Sequence, residues 1–401
     1  MSLEFRKLFF VLLLFSFLSE PLQASEPLRD LSVSLPADRR AFQKIRILVT
    51  RSKPEIKVSC VAAYEVYDDQ GKLVFHGPKL LGATVKPVAN GIQWWKDVIP
   101  SKFLLVKSIQ GSIRVSQTGR YKDEILISKN SKNTLDIINK LDLEDYVKSV
   151  IPFEGNPQWS LEALKAQAVV SRTFALARLL ERRDAEYDVS PGVMSQVYVG
   201  SHIESGRTSE AVDATHGEVL MYNNKVFPAY YHSTCGGATT AADKVWRVKP
   251  HPALAGVECK FCEQSPHYRW EVEVSRSEIK EKLAKNGVPV KEVLGIRTGK
   301  VDKTGRAHEL IIKSTWAERS VDADAFRGWI DPMHLKSSLI TRISEKANGT
   351  FVFKGKGWGH GVGLCQFGMK YLGELGYGYR DILNFYYPPA QIVKLPEPAA
   401  G

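Results

Sequence analysis

From Ile45 to about Ile127, hydrophobic and polar residues alternate in short runs. IRILVT, IKVSCVAAYEVYD, KLVFHG, FLLVKSI, GSIRVS and EILISK are rich in β-branched and aromatic residues, with Gly, Asn, Asp and Ser between them. A period of two bounded by turn residues predicts strands. The pattern then changes. LEALKAQAVVSRTFALARLLERR, Leu161 to Arg183, contains no Pro or Gly and is dominated by good helix formers. Ser160 is placed to cap this helix. Glu162 suits its first turn and Arg182 and Arg183 suit its last. Its apolar residues fall on more than one side, so it is expected to be largely buried. Downstream, Thr208 to Thr215 predicts a short helix. GEVLMYNN and KVFPAYYHST predict a hairpin turning at Asn223-Asn224. Residues 270–350 alternate strands with one short helix and turn at Gly305-Arg306. Gln366 to Gly373 and Tyr379 to Tyr386 predict two closing helices, stopped by Pro388-Pro389. The whole predicts an α+β fold, a β-rich scaffold around one long buried helix.

The N-terminus adds a destination. Residues 1–24 read as a signal peptide, with basic Arg6 and Lys7, an apolar run from Leu8 to Leu18 too short to span a bilayer, and Ala24 at the cleavage position. A retained anchor is the alternative. No later segment is apolar enough to cross a membrane. The chain is therefore expected in the periplasm or cell-wall space, with no stable membrane span after cleavage. Residues 25–44 read as a linker and 45–390 as the working domain. That domain divides into a β-rich part (45–138), the long helix and a Cys-rich loop (139–270), an α+β insertion (271–350) and a Gly-rich C-terminal motif (351–390). Among 401 residues, 55 Lys and Arg against 44 Asp and Glu give a net charge of +11. A basic surface suits an anionic polymer. Export and the lack of a recognised binding motif argue against nucleic acid.

Candidate chemistry gathers around the long helix. Glu154 lies just before it, in a Pro/Gly/Asn-rich segment expected to be a turn, with Phe153 and Trp159 nearby. Desolvation by aromatic neighbours raises a carboxyl pKa, which suits a general acid. Arg172 projects from an apolar stripe and needs a partner or a cavity. Asp188 is the best-placed second carboxylate. Gln196 and Tyr198 offer an amide and an aromatic face, both useful to a sugar. Cys259 and Cys262 have the spacing of a metal knuckle, and Cys235 and His232 lie one strand end away. Zinc held by His232, Cys235, Cys259 and Cys262 is the favoured reading, structural because full protein ligation leaves no open position. His267 and then His251 are rivals for the fourth place, and a disulfide is the rival chemistry in an exported protein. Cys60 and Cys365 lie far off in sequence. They are expected to be unpaired, or else bridged to each other. In GKGWGHGVGLCQFG the repeated Gly permits close approach of backbone to a ligand.

Five ordered stretches carry a resemblance. They are LEDYV to SRTFAL around Glu154, QVYVG at 196–200, AVDATHGEVLMY at 211–222, YYHSTCGG at 230–237, and KGWGHGVGLCQFG to NFYYP at 356–388. Together they resemble the stage II sporulation protein D / LytB amidase-enhancer family over roughly residues 45–390. The resemblance implies a peptidoglycan lytic transglycosylase acting on glycan strands stripped of stem peptides, with Glu154 as catalytic acid. It implies sugar contacts from Arg172, Gln196, Tyr198, Ser233, His360 and Gln366, and it is compatible with zinc. A cell-wall amidase is a candidate partner, and a non-catalytic wall-binding amidase enhancer is the alternative function. Gly155-Asn156 stands where the family has Met-Pro, Ser149 where it has Gly, and Cys365 where it often has Ser.

Overall fold

The computed structural model describes residues 31–36, 44–190, 196, 198, 200 and 206–395. The expected signal segment, residues 1–24, lies outside them, as does most of the linker. Alternating strands build a ten-stranded antiparallel sheet. Lys44–Lys53 pairs with Leu135–Asp142, which pairs with Gly119–Lys129, which pairs with Phe103–Val115. In Leu135–Asp142 the alternation is lost: Leu135, Ile137, Ile138 and Leu141 are all buried. This strand is covered on both faces, as a continuous apolar run predicts. Four smaller sheets complete the β content. One of them is a parallel pair, Tyr231–His232 beside Leu364–Cys365, which brings the Cys-rich segment to the Gly-rich motif.

Eight helices are present among the described residues: α1 (Leu143–Glu154), α2 (Leu161–Glu181), α3 (Gly206–Ala214), α4 (Ala242–Val245), α5 (Arg276–Lys285), α6 (Ala323–Ile330), α7 (Gln366–Glu374) and α8 (Tyr379–Tyr386). With antiparallel sheets dominating, the fold is α+β. None of these helices is long and apolar enough to cross a membrane. The hairpin turn falls where predicted, with Asn223 at φ 48° and Asn224 at φ 58°. The return strand is only Lys225–Val226, because Pro228 follows closely. Apolar side chains form two clusters. The larger joins the ten-stranded sheet, α1, α2, α7 and α8, and the smaller lies within residues 270–353 around Ile279, Leu310, Phe326 and Phe353.

The segment before the long helix is the main departure from expectation. Residues 143–154 are helix, and Glu154 is its last residue instead of a turn residue. The start signal is present in hindsight. Asp142 caps α1 by accepting the Glu144 N–H at 2.8 Å, and Glu144 and Asp145 place negative charge in the first turn. Pro152 obscures the pattern. It sits in the last turn, where it costs a single backbone hydrogen bond and leaves the helix intact up to Glu154.

Helix α2 is the centre of the molecule. Seventeen of its 21 residues are buried. Ser160 caps it, accepting from the Ala163 N–H at 3.2 Å, and Arg182 is already the C-cap. A helix buried on all sides must pair every polar group it carries. Arg172, fully buried, forms a bidentate ion pair with Glu144 of α1 at 2.7 and 2.6 Å. It also donates to the Glu218 carbonyl at 3.0 Å and the Val212 carbonyl at 3.3 Å. Glu144 in turn accepts the Gly217 N–H at 3.1 Å. One guanidinium therefore ties α2 to α1, to α3 and to the strand Glu218–Tyr222. The expected sugar contact is corrected: Arg172 is an internal clamp with every donor directed into the protein.

Breaking this pair from one side leaves an uncompensated buried charge. Arg172→Ala is expected to destabilise the fold by about 3–5 kcal/mol in urea unfolding, and the double variant Arg172→Met/Glu144→Leu to recover part of that loss. A single variant within about 0.5 kcal/mol of wild type would show that the pair is solvated and dispensable.

Candidate active site

Glu154 is half-buried at the C-terminal end of α1. Its position is set through the backbone. Gly155 caps α1 by donating to the Ile151 carbonyl at 2.9 Å. The Glu154 carbonyl accepts from Gln366 Nε2 at 2.7 Å, and the same amide lies 3.4 Å from Gln167 Oε1 of α2. Gln366 is the first residue of α7, so the Gly-rich motif ends by gripping the backbone of the candidate acid.

Behind Glu154 runs a chain of buried polar groups on apolar elements. Gln167 donates to Ser171 Oγ at 3.1 Å. The Ser171 carbonyl accepts from Gln196 Nε2 at 3.2 Å, and Gln196 Oε1 accepts from the Tyr146 hydroxyl at 2.8 Å. The Tyr231 hydroxyl is buried close by, beside the Gln196 and Ser171 side chains. Burial pushes both phenols far up, and the charge of Glu154 is the next cause for each. Both phenols stay protonated at any physiological pH, so the charge of Glu154 acts next to neutral hydroxyl groups.

Several expected contacts serve a different purpose. Gln196 is buried and spent on Tyr146 and Ser171. The Tyr198 ring packs between Tyr121 and Tyr146, at 6.2 and 5.6 Å between centroids, and its hydroxyl bonds to Asn139. It presents no open face to a sugar. Asp188 is buried and held by Arg46, with Oδ1 2.7 Å from Nη2 and Oδ2 2.7 Å from the backbone N–H. It anchors the turn after α2 and is not a second acid beside Glu154. Ser233 is half-buried, and its carbonyl accepts the Phe367 N–H at 3.0 Å. The glycines of the C-terminal motif approach protein, not ligand. A Cβ at Gly363 would stand 2.0 Å from the Tyr230 carbonyl oxygen, and one at Gly357 2.5 Å from that of Thr234. Tyr146, Tyr231, Gln167 and Ser171 were missed by sequence reasoning, since nothing marks a buried Tyr or Gln as polar lining until α1 and α2 are packed together.

The cysteines also rearrange. Cys235, Cys259, Cys262 and Cys365 are buried, and their sulfurs lie within 4.8 Å of one another. The fourth member is Cys365, not His232. In the parallel pair, His232 stands in register with Cys365, and only the thiol turns to the cluster. The His232 imidazole places Nδ1 3.2 Å from the Val362 carbonyl. His267 lies elsewhere, with Nδ1 3.2 Å from Lys336 Nζ, and the buried His251 ring packs against Tyr222 and Phe227, at 5.4 and 5.1 Å between centroids. Cys235 N–H donates to Cys365 Sγ at 3.2 Å, and Cys259 Sγ is 3.2 Å from the Tyr386 hydroxyl. Arg306 is buried beside the cluster and donates to the Cys235 carbonyl and, at 3.1 Å, to that of Ala238. Among the described residues, its side-chain hydrogen bonds go to the Ala238 and Cys235 carbonyls and the Thr304 hydroxyl, none to a carboxylate. Cys60 lies apart, 3.4 Å from Ser108 Oγ, so a Cys60–Cys365 bridge is ruled out.

The comparisons with known proteins follow the same outline. Residues 131–222 match the family model described as Stage II sporulation protein, and residues 254–363 match a domain of unknown function, DUF8618. An uncharacterised protein of Brachyspira hyodysenteriae is 33% identical over 316 residues, covering 74% of this chain and 84% of that protein. Stage II sporulation protein D of Bacillus subtilis is 28% identical over 272 residues, 64% of this chain and 75% of the relative. The amidase enhancer of the same organism is 28% identical over 290 residues, 60% of this chain but only 39% of the relative. The chain belongs to the stage II sporulation protein D / amidase-enhancer family.

His360 supplies a test of the packing around this site. Its ring lies 5.0 Å from Trp246 and its Nδ1 accepts the Val362 N–H at 3.0 Å. Burial, then the charge of Arg327, depresses its pKa to about 3. The unfolded chain takes up this proton near pH 6.5, well before the folded protein does. Stability from this group is therefore intact above pH 6.5 and lost as pH falls toward 3. The melting temperature of wild type is expected to drop more steeply between pH 6.5 and 4 than that of His360→Gln. Parallel slopes would show that this imidazole titrates like an exposed one.

Proposed function

We propose that the protein is an exported peptidoglycan lytic transglycosylase with Glu154 as its single catalytic carboxyl group. Family membership supports a cell-wall role, as does the likeness to an amidase enhancer. The observation that supports the finer reading is that Asp188, the second carboxylate expected from the sequence, is buried and committed to Arg46. Among the described residues, Glu154 is the carboxylate whose charge bears on the buried phenols of both Tyr146 and Tyr231. Ordinary glycosidases need two carboxyl groups, the second to activate water or to attack the sugar. A lytic transglycosylase needs one, because the substrate supplies the nucleophile. Glu154 protonates the glycosidic oxygen as the bond to C1 breaks. Its carboxylate then accepts the proton of the muramyl C6 hydroxyl, whose oxygen closes onto C1. One C–O bond breaks, one forms, no water is consumed, and a 1,6-anhydro end remains. Gln366, through the Glu154 carbonyl, holds the acid in register for both transfers.

Glu154→Gln keeps the shape and removes the transferable proton. Cleavage of peptide-free glycan is expected to fall by about 10²–10⁴-fold, read as loss of anhydro ends by mass spectrometry, with the melting temperature unchanged. Wild-type turnover by the variant would end the catalytic assignment. Glycan binding by both forms with cleavage by neither would support the amidase-enhancer reading, which the name of one relative favours.

The same reading assigns the four thiols to a structural zinc ion. Zinc takes four thiolates at about 2.3 Å in a tetrahedron, and four buried sulfurs from three chain segments have the right chemistry and proximity. When bound, the ion would cross-link those segments and leave no open position for a reacting water. Buried Arg306 offsets the surplus negative charge that four thiolates bring. One zinc per chain is expected by elemental analysis, with four thiols released by chelation. Cys365→Ser is expected to lose most of the metal and His232→Ala to keep it. Metal-free protein carrying disulfides among these cysteines would overturn the assignment.

A further inference from the structure

A row of partly exposed rings leads away from Glu154. Trp159 packs over the backbone beside the acid, its Cε3 3.8 Å from where a Cβ on Gly155 would stand. Trp159 meets Phe367 edge-on at 6.0 Å between centroids. Phe367 meets His267 at 5.9 Å, and His267 meets Trp358 at 4.4 Å, both edge-on. Lys336 closes the row with Nζ 5.3 Å from the centre of the Trp358 ring. Four separate chain segments contribute, including the loops on either side of the 271–350 strands. All five residues are only partly buried. Edge-to-face packing locks the rings against one another while leaving part of each open to solvent.

The lysine needs a reason. Nζ donates to His267 Nδ1 at 3.2 Å. That imidazole is neutral at physiological pH, since burial and then the Lys336 charge push its pKa down to about 4. Among the described residues, no carboxylate pairs with Lys336. Among the described residues, 21 ion pairs engage 19 other Lys and Arg side chains and His334. Here an ammonium is partly desolvated, supported by an aromatic face and a neutral imidazole, and left without an anion. Such a group is matched by an anion arriving from outside.

We propose that Trp159, Phe367, His267, Trp358 and Lys336 form a saccharide subsite in which Lys336 binds the carboxylate of an acidic amino sugar. This rests on the glycan-cleaving reading of Glu154, with which the row is continuous. The rings offer apolar surface to sugar faces. The carboxylate matched to Lys336 is the lactyl group of a muramic acid free of its stem peptide. In a peptide-bearing strand that carbonyl is an amide and carries no charge. Lys336 is thus a specificity residue that distinguishes stripped from unstripped strands.

The test measures binding in a Glu154→Gln background, so that turnover does not intervene. The probes are amidase-treated glycan strands, the same strands with peptides retained, and chitotetraose, which has no carboxylate. Lys336→Met is expected to weaken binding of stripped strands on the order of 10- to 100-fold, the range for a lost charge-assisted hydrogen bond. Binding of chitotetraose and the melting temperature are expected to stay unchanged, and Lys336→Arg to restore most of the affinity. Trp358→Ala is expected to weaken all three probes. Unchanged binding of stripped strands by Lys336→Met would overturn the proposal, as would equal loss on chitotetraose. The two readings separate cleanly. If wild type cleaves no glycan while Lys336→Met selectively loses stripped strands, the catalytic reading fails and the subsite stands. If wild type cleaves and Lys336→Met binds normally, the subsite fails and the catalytic reading stands.

Discussion

The burial of α2 on every side governs the structure around Glu154. A helix in that position has no solvent to satisfy its polar side chains, so each must find its partner inside the protein. Arg172 finds Glu144, Gln167 finds Ser171 and Gln366, and the Ser171 carbonyl finds Gln196. Apart from Ser171, which lies on α2 itself, each of these partners sits on a different element. Polar groups that look expensive in a core are therefore the ties that bring α1, α7 and the segment around residue 196 to one place. Hydrophobic contact alone is non-directional and would permit α1 to slide along α2. The bidentate fork of Arg172 does not, because a planar guanidinium accepts a carboxylate in few orientations. Glu154 lies at the far end of the helix that this fork holds.

What could be read in the sequence follows from how local each signal is. Helix α2 was legible because its cap, composition and length are all contained in one stretch. The Asn223-Asn224 turn was legible for the same reason: two residues that tolerate positive φ sit between two apolar runs. Helix α1 was hidden by Pro152, although Asp142 and the two acids after it mark its start. Arg172 was rightly singled out as needing a partner, but the partner lies on a helix that sequence reading had not placed. Sugar-like chemistry was attributed to Gln196 and Tyr198 from residue type. Type does not say which way a side chain faces, and both face inward. The family resemblance located Glu154 and the order of the motifs. It could not reveal the phenols of Tyr146 and Tyr231, which acquire meaning only through packing.

The thiol cluster shows the same limit from another side. Cys259 and Cys262 were recognisable by spacing, and Cys235 by proximity. Cys365 is 103 residues beyond Cys262 in number, and no local rule connects them. The connection is the parallel pairing of Tyr231–His232 with Leu364–Cys365, a pairing of two residues on each side that no hydrophobic pattern announces. His232 seemed the better ligand because it is close in sequence. The register brings Cys365 to the cluster, while the His232 imidazole lies at the Val362 carbonyl.

That register also links the cluster to the acid. Cys365 caps α7, and the next residue, Gln366, reaches across to the Glu154 carbonyl at 2.7 Å. If zinc binds the four thiols as proposed, Cys365 has little freedom to rotate or shift, and its neighbour inherits that restraint. Gln366 is thereby held at both ends, by the cluster through the backbone and by α1 and α2 through its amide. A serine at position 365 would keep the fold of α7 but remove the sulfur that anchors its first turn. Rigidity at Glu154 is thus drawn from two sources at opposite ends of the same arc, an ion pair buried under α1 and a sulfur cluster buried under α7. Both act on the backbone that carries Glu154, one through α1 and the other through the Gln366 amide.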